Sequence, residues 1–183
     1  MKEKNPKGEK VFLRYPTAED FTEFAASSKA SRKFHRGLVS PPVERKTFEE
    51  YLQKNNKPEN ECFLICRVEG EAIVGTINLS QIFYGNFQNA YLGYLLFEKY
   101  TRCGLMTEAV ELLLQYSSKP LKLHRIEANV QPENIASINV LKRANFTKEG
   151  FSRKYLKIGG RWRDHERWAI ILEDWKKCMK KQT

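Results

Sequence analysis

Between Leu92 and Thr107 the chain reads LGYLLFEKYTRCGLMT. An apolar stretch passes through a short polar turn, and a glycine opens a run with helical spacing. From Gly104 to Tyr116, the residues Leu105, Ala109, Leu112, Leu113 and Tyr116 share one face. Residues Ala90–Phe97 read as the strand that feeds this helix. A helix start leaves about four N–H groups without partners inside the helix. It also carries roughly half a positive charge, so the turn suits a phosphate group. Gly104 lets a ligand approach the backbone, Thr107 offers a hydroxyl and Arg102 a full charge. The plain alternative is a strand-to-helix turn that happens to contain a glycine.

The rest of the pattern surrounds this unit with alternating elements. Val11–Arg14 reads as a first strand. Thr17 to Asp20 (TAED) open a helix, with Thr17 as N-cap and Asp20 at the capping-box position. Ser31–Pro42 is polar, ends in two prolines and reads as a loop. A second helix is predicted over Val43–Lys54. Cys62–Val68 and Ala72–Leu79 form a hairpin through Glu69-Gly70-Glu71, and Cys62 and Cys66 share one face of the first strand. In His124–Val130, Ile126, Ala128 and Val130 alternate with Arg125, Glu127 and Asn129. Asn134–Arg143 is a short helix with Ile135, Ile138 and Leu141 inward. Strands over Thr147–Lys157 and Arg161–Leu172 flank Gly159-Gly160. The fold class is α/β with a mixed sheet. The chain is expected to be one domain over residues 1–183, with a core at about 11–172. The basic residues Lys2, Lys4, Lys7 and Lys10, and Lys176, Lys177, Lys180 and Lys181, read as frayed ends.

Of 183 residues, 41% are hydrophobic and 30% charged, and the formal net charge is +10. That balance favours anionic partners, such as ribosomal RNA or an anionic cofactor; a solvated basic surface is the bland alternative. A free polycation would be repelled. No run approaches the ~20 apolar residues that span a bilayer, and MKEKNPKGEK lacks the apolar segment of a secretory signal. The four cysteines form no CxxC pair. Reduced thiols and a cytoplasmic location are the expectation. His35, His124 and His165 show no ligand spacing, so no metal is expected.

Seven segments, YLGY, GLMTEA, HRIEAN, NIAS, KEGF, YL and GRWRDH, occur in this order. Their order and spacing resemble the GNAT superfamily of N-acetyltransferases, and within it the RimJ/RimL-like acetyltransferases of ribosomal-protein N-termini. The resemblance covers about Val11 to Leu172. At the turn the superfamily carries [Q/R]-x-x-G-x-[G/A], whereas Thr101-Arg102-Cys103-Gly104-Leu105-Met106 keeps only the central glycine. The resemblance implies a GNAT fold: a mixed central sheet of about seven strands, flanked by about four helices. Two splayed parallel strands, Ala90–Phe97 and His124–Val130, would hold acetyl-CoA. The backbone near Leu95, Leu96 and Phe97 would meet the pantetheine amides. The N–H groups of Arg102, Cys103, Gly104, Leu105, Met106 and Thr107 would take the pyrophosphate. Asn134 would contact the pantetheine arm, with Ser137 one turn on, towards the thiol. Helix capping alone would also explain Asn134 and Ser137.

The implied reaction is direct attack of a neutral amine on the thioester. An α-amine with pKa about 7.7–8.0 costs roughly 1 kcal/mol to deprotonate at pH 7, and a lysine side chain about 4.6 kcal/mol. An N-terminal amine therefore tolerates a weak base. Many GNAT enzymes place a Glu before the NxxS segment. Asn129 holds that position here, and Glu127, one pleat upstream, is the candidate base, directly or through water. Its alternative is a surface carboxylate paired with Arg125. The usual general-acid tyrosine is replaced by Leu141, and Asn145 precedes Phe146, so Ser137 or a water is the proton donor that remains. Tyr155 reads as core packing or a substrate contact, and Asp164 as an amine receiver or a hairpin clasp.

The expected function is acetyl transfer from acetyl-CoA, without metal, to the N-terminal α-amine of a ribosomal protein or ribosomal particle. The enzyme would be a monomer or homodimer away from membranes. Small-molecule amine acetylation, a non-catalytic acetyl-CoA-binding or ribosome-assembly module, and an rRNA-binding protein without cofactor are the alternatives.

Overall fold

The computed structural model describes residues 5–180. Seven strands form one sheet in the order β1-β2-β3-β4-β5-β7-β6. They are β1 (Val11–Arg14), β2 (Glu61–Arg67), β3 (Ile73–Phe83), β4 (Asn89–Leu96), β5 (Arg125–Val130), β6 (Thr147–Ile158) and β7 (Arg161–Ile171). Neighbours pair antiparallel except β4 and β5, which run parallel. The helices are α1 (Phe21–Ala30), α2 (Arg45–Asn55), α3 (Leu105–Ser118), α4 (Ile135–Arg143) and α5 (Leu172–Lys180).

The alternation in β5 is borne out: Ile126, Ala128 and Val130 are buried, and Arg125, Glu127 and Asn129 are half-buried. Buried apolar residues of α3, among them Ala109, Val110 and Leu113, join the larger cluster on the sheet. The smaller cluster sets Phe24 of α1 and Phe48 of α2 against Leu64, Cys66, Leu95 and Phe97. The sheet is thus covered on both faces. Gly159 and Gly160 carry φ of 56° and 79°, as a two-residue turn between twisted strands requires.

The structure corrects four expectations. Ile135 of α4 is exposed, and only Ile138 and Leu141 of the expected inward face are buried. The capping box at Thr17 forms, but it opens a 3-10 turn over Ala18–Asp20 that runs on into α1. The segment from Leu172 is helix α5, not a frayed end. Trp175 is buried in the main cluster, and Lys176 Nζ donates to the Ser118 carbonyl at 3.3 Å. Lys7 and Lys10 are likewise ordered: Lys7 bridges Phe12, and the Lys10 N–H donates to Glu108 of α3 at 2.9 Å. Lys2, Lys4 and Lys181 lie outside the described residues.

Candidate active site at the parted strands

β4 and β5 pair only at Asn89↔Arg125, Ala90↔Ile126 and Tyr91↔Glu127. Beyond Tyr91, β4 continues to Leu96 bonded to β3 alone, so the two parallel strands part. A cavity of about 830 Å³ opens there. The end of β4, the turn into α3, the start of α4 and the loop after α1 line it.

Antiparallel pairing decides which β4 backbone groups face this gap. The Phe97 N–H donates to Val74 and its carbonyl accepts from Tyr100, so the Phe97 backbone is committed to the fold. Leu95 pairs with Thr76. Its carbonyl lies 2.1 Å from where a Cβ on Gly75 would stand, so it too faces β3. Backbone direction alternates along a strand, which leaves Leu96, and Tyr94 with the same parity, turned towards the gap.

At the helix start, Gly104 caps α3 with φ 77°, and no side chain caps it. Arg102 also has a positive φ, 65°. The first backbone bond back to Gly104 comes from the Glu108 N–H, so the preceding amides of the first turn lack partners within the helix. A Cβ on Gly104 would meet only Lys10 Nζ, at 3.7 Å. Lys10 therefore stands beside the turn, and Arg102 and Arg143 line the same cavity. Cationic charge around free amides fits a diphosphate. Leu105 and Met106 face the core, whereas Cys103 is exposed.

Asn134 caps α4 by accepting from the Ser137 N–H at 3.2 Å. Both residues also line the cavity, so capping and a place in the site coexist. The Tyr94 hydroxyl donates to the Ser137 carbonyl at 3.2 Å, joining β4 to α4. Burial pushes the Tyr94 phenol above its ordinary range.

Glu127 and Asn129 are not among the cavity-lining residues. Glu127 Oε1 accepts from Arg125 Nε at 3.0 Å and from Asn89 Nδ2 at 3.3 Å, the arrangement of a paired carboxylate. Asp164 accepts from the Lys154 N–H at 2.7 Å, clasping the β6–β7 hairpin. Tyr155 is partly exposed, not core. Among the described residues, no group of three or more His, Cys, Asp or Glu is placed to hold a metal.

The small-molecule alternative expects an acceptor pocket formed by Ser31–Pro42 and Phe83–Asn89; the loop 31–39 does line the cavity, and sequence reasoning missed only its crossing between the strands. Ser31 Oγ accepts from the Glu98 N–H at 2.9 Å, just beyond β4. The Gly37 carbonyl accepts from Gln131 Nε2 at 3.0 Å, just beyond β5. The loop thus crosses between the parted strands, and Phe34, His35, Leu38 and Val39 line the cavity. A polar loop without periodicity gives no signal of such a crossing.

Residues 10–147 match the acetyltransferase (GNAT) domain family. The chain is 44% identical over 176 residues to the probable N-acetyltransferase YjcK of Bacillus subtilis (strain 168), covering 92% of this chain and 97% of that one. It is 41% identical over 103 residues to the ribosomal protein uS5-alanine N-acetyltransferase of Escherichia coli (strain K12), 56% of this chain and 53% of that one. Among solved structures, the ribosomal-protein-S5-alanine acetyltransferase of Vibrio fischeri matches with a TM-score of 0.83 at 26% identity, over 94% of this chain and 99% of that one. Mycobacterium smegmatis RimJ, in complex with CoA-disulfide, matches with 0.82 at 25%, over 90% and 83%. The chain belongs to the GNAT acetyltransferases and is an acetyl-CoA-dependent N-acetyltransferase.

Proposed function

We propose that this GNAT enzyme transfers acetyl from acetyl-CoA to the N-terminal α-amine of a ribosomal protein in the cytoplasm. One observation carries the reading: the parted strands, the uncapped start of α3 and Ser137 all open onto a single cavity. The ribosomal acceptor rests on the relatives whose names specify a ribosomal-protein alanine.

The amides of Arg102 to Thr107 hold the diphosphate, with Lys10, Arg102 and Arg143 supplying charge. The backbone of Leu96 and Tyr94 meets the pantetheine amides, and Asn134 borders that arm. Ser137 donates a proton towards the leaving sulfur. The α-amine attacks the thioester carbon; with a pKa near 7.7–8.0 it needs only modest help to be neutral at pH 7.

The cavity lining also bears on the acceptor. It contains one carboxylate, Glu98, against the guanidiniums of Arg102 and Arg143. A polyamine needs several anions in its site, so a peptide amine suits this lining better. A small neutral-bodied monoamine is the second reading, because Phe34, Leu38 and Val39 offer apolar surface.

The test is release of free CoA with a short peptide bearing a free N-terminal alanine. Turnover is expected with that peptide and none with its N-acetylated twin. Turnover confined to small monoamines would replace the ribosomal reading. Tight acetyl-CoA binding with no turnover on any amine would favour a cofactor-binding module.

A further inference from the structure

His35 is 4% exposed, yet its Nε2 has no hydrogen-bond partner. Most buried polar nitrogens have a partner, and among the unpartnered buried side-chain atoms of the described residues His35 Nε2 is the one that belongs to a cavity-lining residue. The ring lines the same cavity as Ser137 and the end of β4. It sits on the loop that Ser31 ties to Glu98 and Gly37 ties to Gln131, so it lies at the parting of the strands.

Burial lowers the His35 pKa below the ordinary histidine value. A ring hydrogen bond to the Leu96 backbone, and then Glu98, act in the opposite sense. Only a bond donated by the ring to a carbonyl favours the charged form. A neutral ring with its proton on Nδ1 offers its lone pair on Nε2, the nitrogen without a hydrogen-bond partner. The other titratable or charged groups about the cavity are Tyr94 on β4, Glu98 beyond it, Arg102 before α3 and Arg143 on α4. Lys33 and Arg36 flank His35 on its own loop.

Glu127, the carboxylate that sequence favours as base, is held by Arg125 and Asn89 and does not line the cavity. We propose that His35 is the catalytic base, its Nε2 taking the proton from the acceptor amine directly or through one water. The proposal rests on the transferase reading above. The amine nitrogen bonds to the thioester carbon, and the carbon–sulfur bond breaks with its electron pair on sulfur. The N–H proton passes to His35 Nε2 and on to solvent. Ser137 or water protonates the thiolate, so the products are the amide and CoA thiol.

The experiment compares wild type with His35→Gln, which keeps a polar side chain but has no basic nitrogen. The substrates are an N-terminal alanine peptide and a small monoamine such as tyramine. General-base catalysis contributes about 10²–10⁴-fold, so kcat/KM at pH 7 should fall by about a hundredfold or more. The Kd for acetyl-CoA should stay within about threefold. Below the His35 pKa, log kcat/KM of wild type should rise with a slope near 2, one proton from amine and one from imidazole. The variant should keep a slope of 1.

NMR titration of the imidazole in wild-type protein gives a second readout should the variant fold poorly. Depressed His35 protonation that shifts on adding the peptide supports the proposal. An ordinary titration, blind to the peptide, overturns it. So does a folded variant with unchanged kcat/KM. Wild type inactive on every amine would remove the transferase reading itself, whereas an active wild type with an equally active variant sinks only the role of His35.

Discussion

Replacing Gly104 by Asp, with Gly104→Asn as its neutral twin, separates charge from shape at the start of α3. Both side chains are short, polar and tolerated in the left-handed region better than most. A Cβ there meets only Lys10 Nζ at 3.7 Å, so neither variant clashes. Both residue types are also favourable at helix N-caps. Folding should therefore survive, with a stability change of about 1–2 kcal/mol at most. That is a shift of about 2–8 °C in Tm at this chain length. Ligand binding should respond very differently. A carboxylate about 5 Å from a phosphate charge costs about 3 kcal/mol at an effective dielectric near 20. This corresponds to more than a hundredfold in Kd. An aspartate would also engage Lys10, taking a cation from the diphosphate. Calorimetric titration with CoA should give G104D a Kd at least a hundredfold weaker than G104N, with the gap narrowing at high salt. Equal affinities in two folded variants would refute the placement of the diphosphate at this turn.

Ser137→Ala removes the hydroxyl but leaves the N–H that bonds Asn134. It should lower kcat tenfold or more while leaving the Kd for acetyl-CoA almost unchanged, as stopped-turnover and calorimetric measurements would show. Asp20 is buried, which alone would raise its carboxyl pKa. Arg14 and the Thr17 N–H outweigh that and hold it low. A depressed folded-state pKa gives stability that is present above the unfolded carboxylate value of about 3.9 and lost as pH falls through the folded value. Asp20→Asn should therefore lower Tm near neutral pH and flatten its decline below about pH 4.

Much of the fold was legible because periodicity carries it. The half-buried alternation of β5 and the apolar face of α3 each leave a mark in the sequence. Helix α5 was misread because lysines dominate its end. Its signal was present: Glu173 and Asp174 in the first turn, then Trp175 and Met179 four apart. β3 runs on to Phe83, past the predicted end at Leu79, across an irregularity between Ser80 and Phe83, with Gln81 at φ 51°. Alternation alone does not extend a strand through such a break.

The site was legible only in part. Gly104, Asn134 and Ser137 announce themselves through helix starts. The candidate base did not, because His35 stands in a loop whose position depends on two distant bonds, donated to it by Glu98 and by Gln131. Lys10 was assigned to a tail for the same reason. Its place beside the turn follows from Glu108, which holds the Lys10 N–H across 98 residues of sequence. Glu127 looked free on a strand face, and only the fold brings Asn89 and Arg125 onto one of its oxygens.

Cys103 sits between two left-handed residues at the turn into α3, and it and Cys178 are exposed. Cys62 and Cys66 are buried, with burial pushing their thiols up to about 12 and about 11. An alkylating reagent applied to the native enzyme thus finds two sulfurs, one beside the turn into α3 and one on the last helix. Nucleotide shielding of the first but not the second would report occupancy at the turn without any substitution.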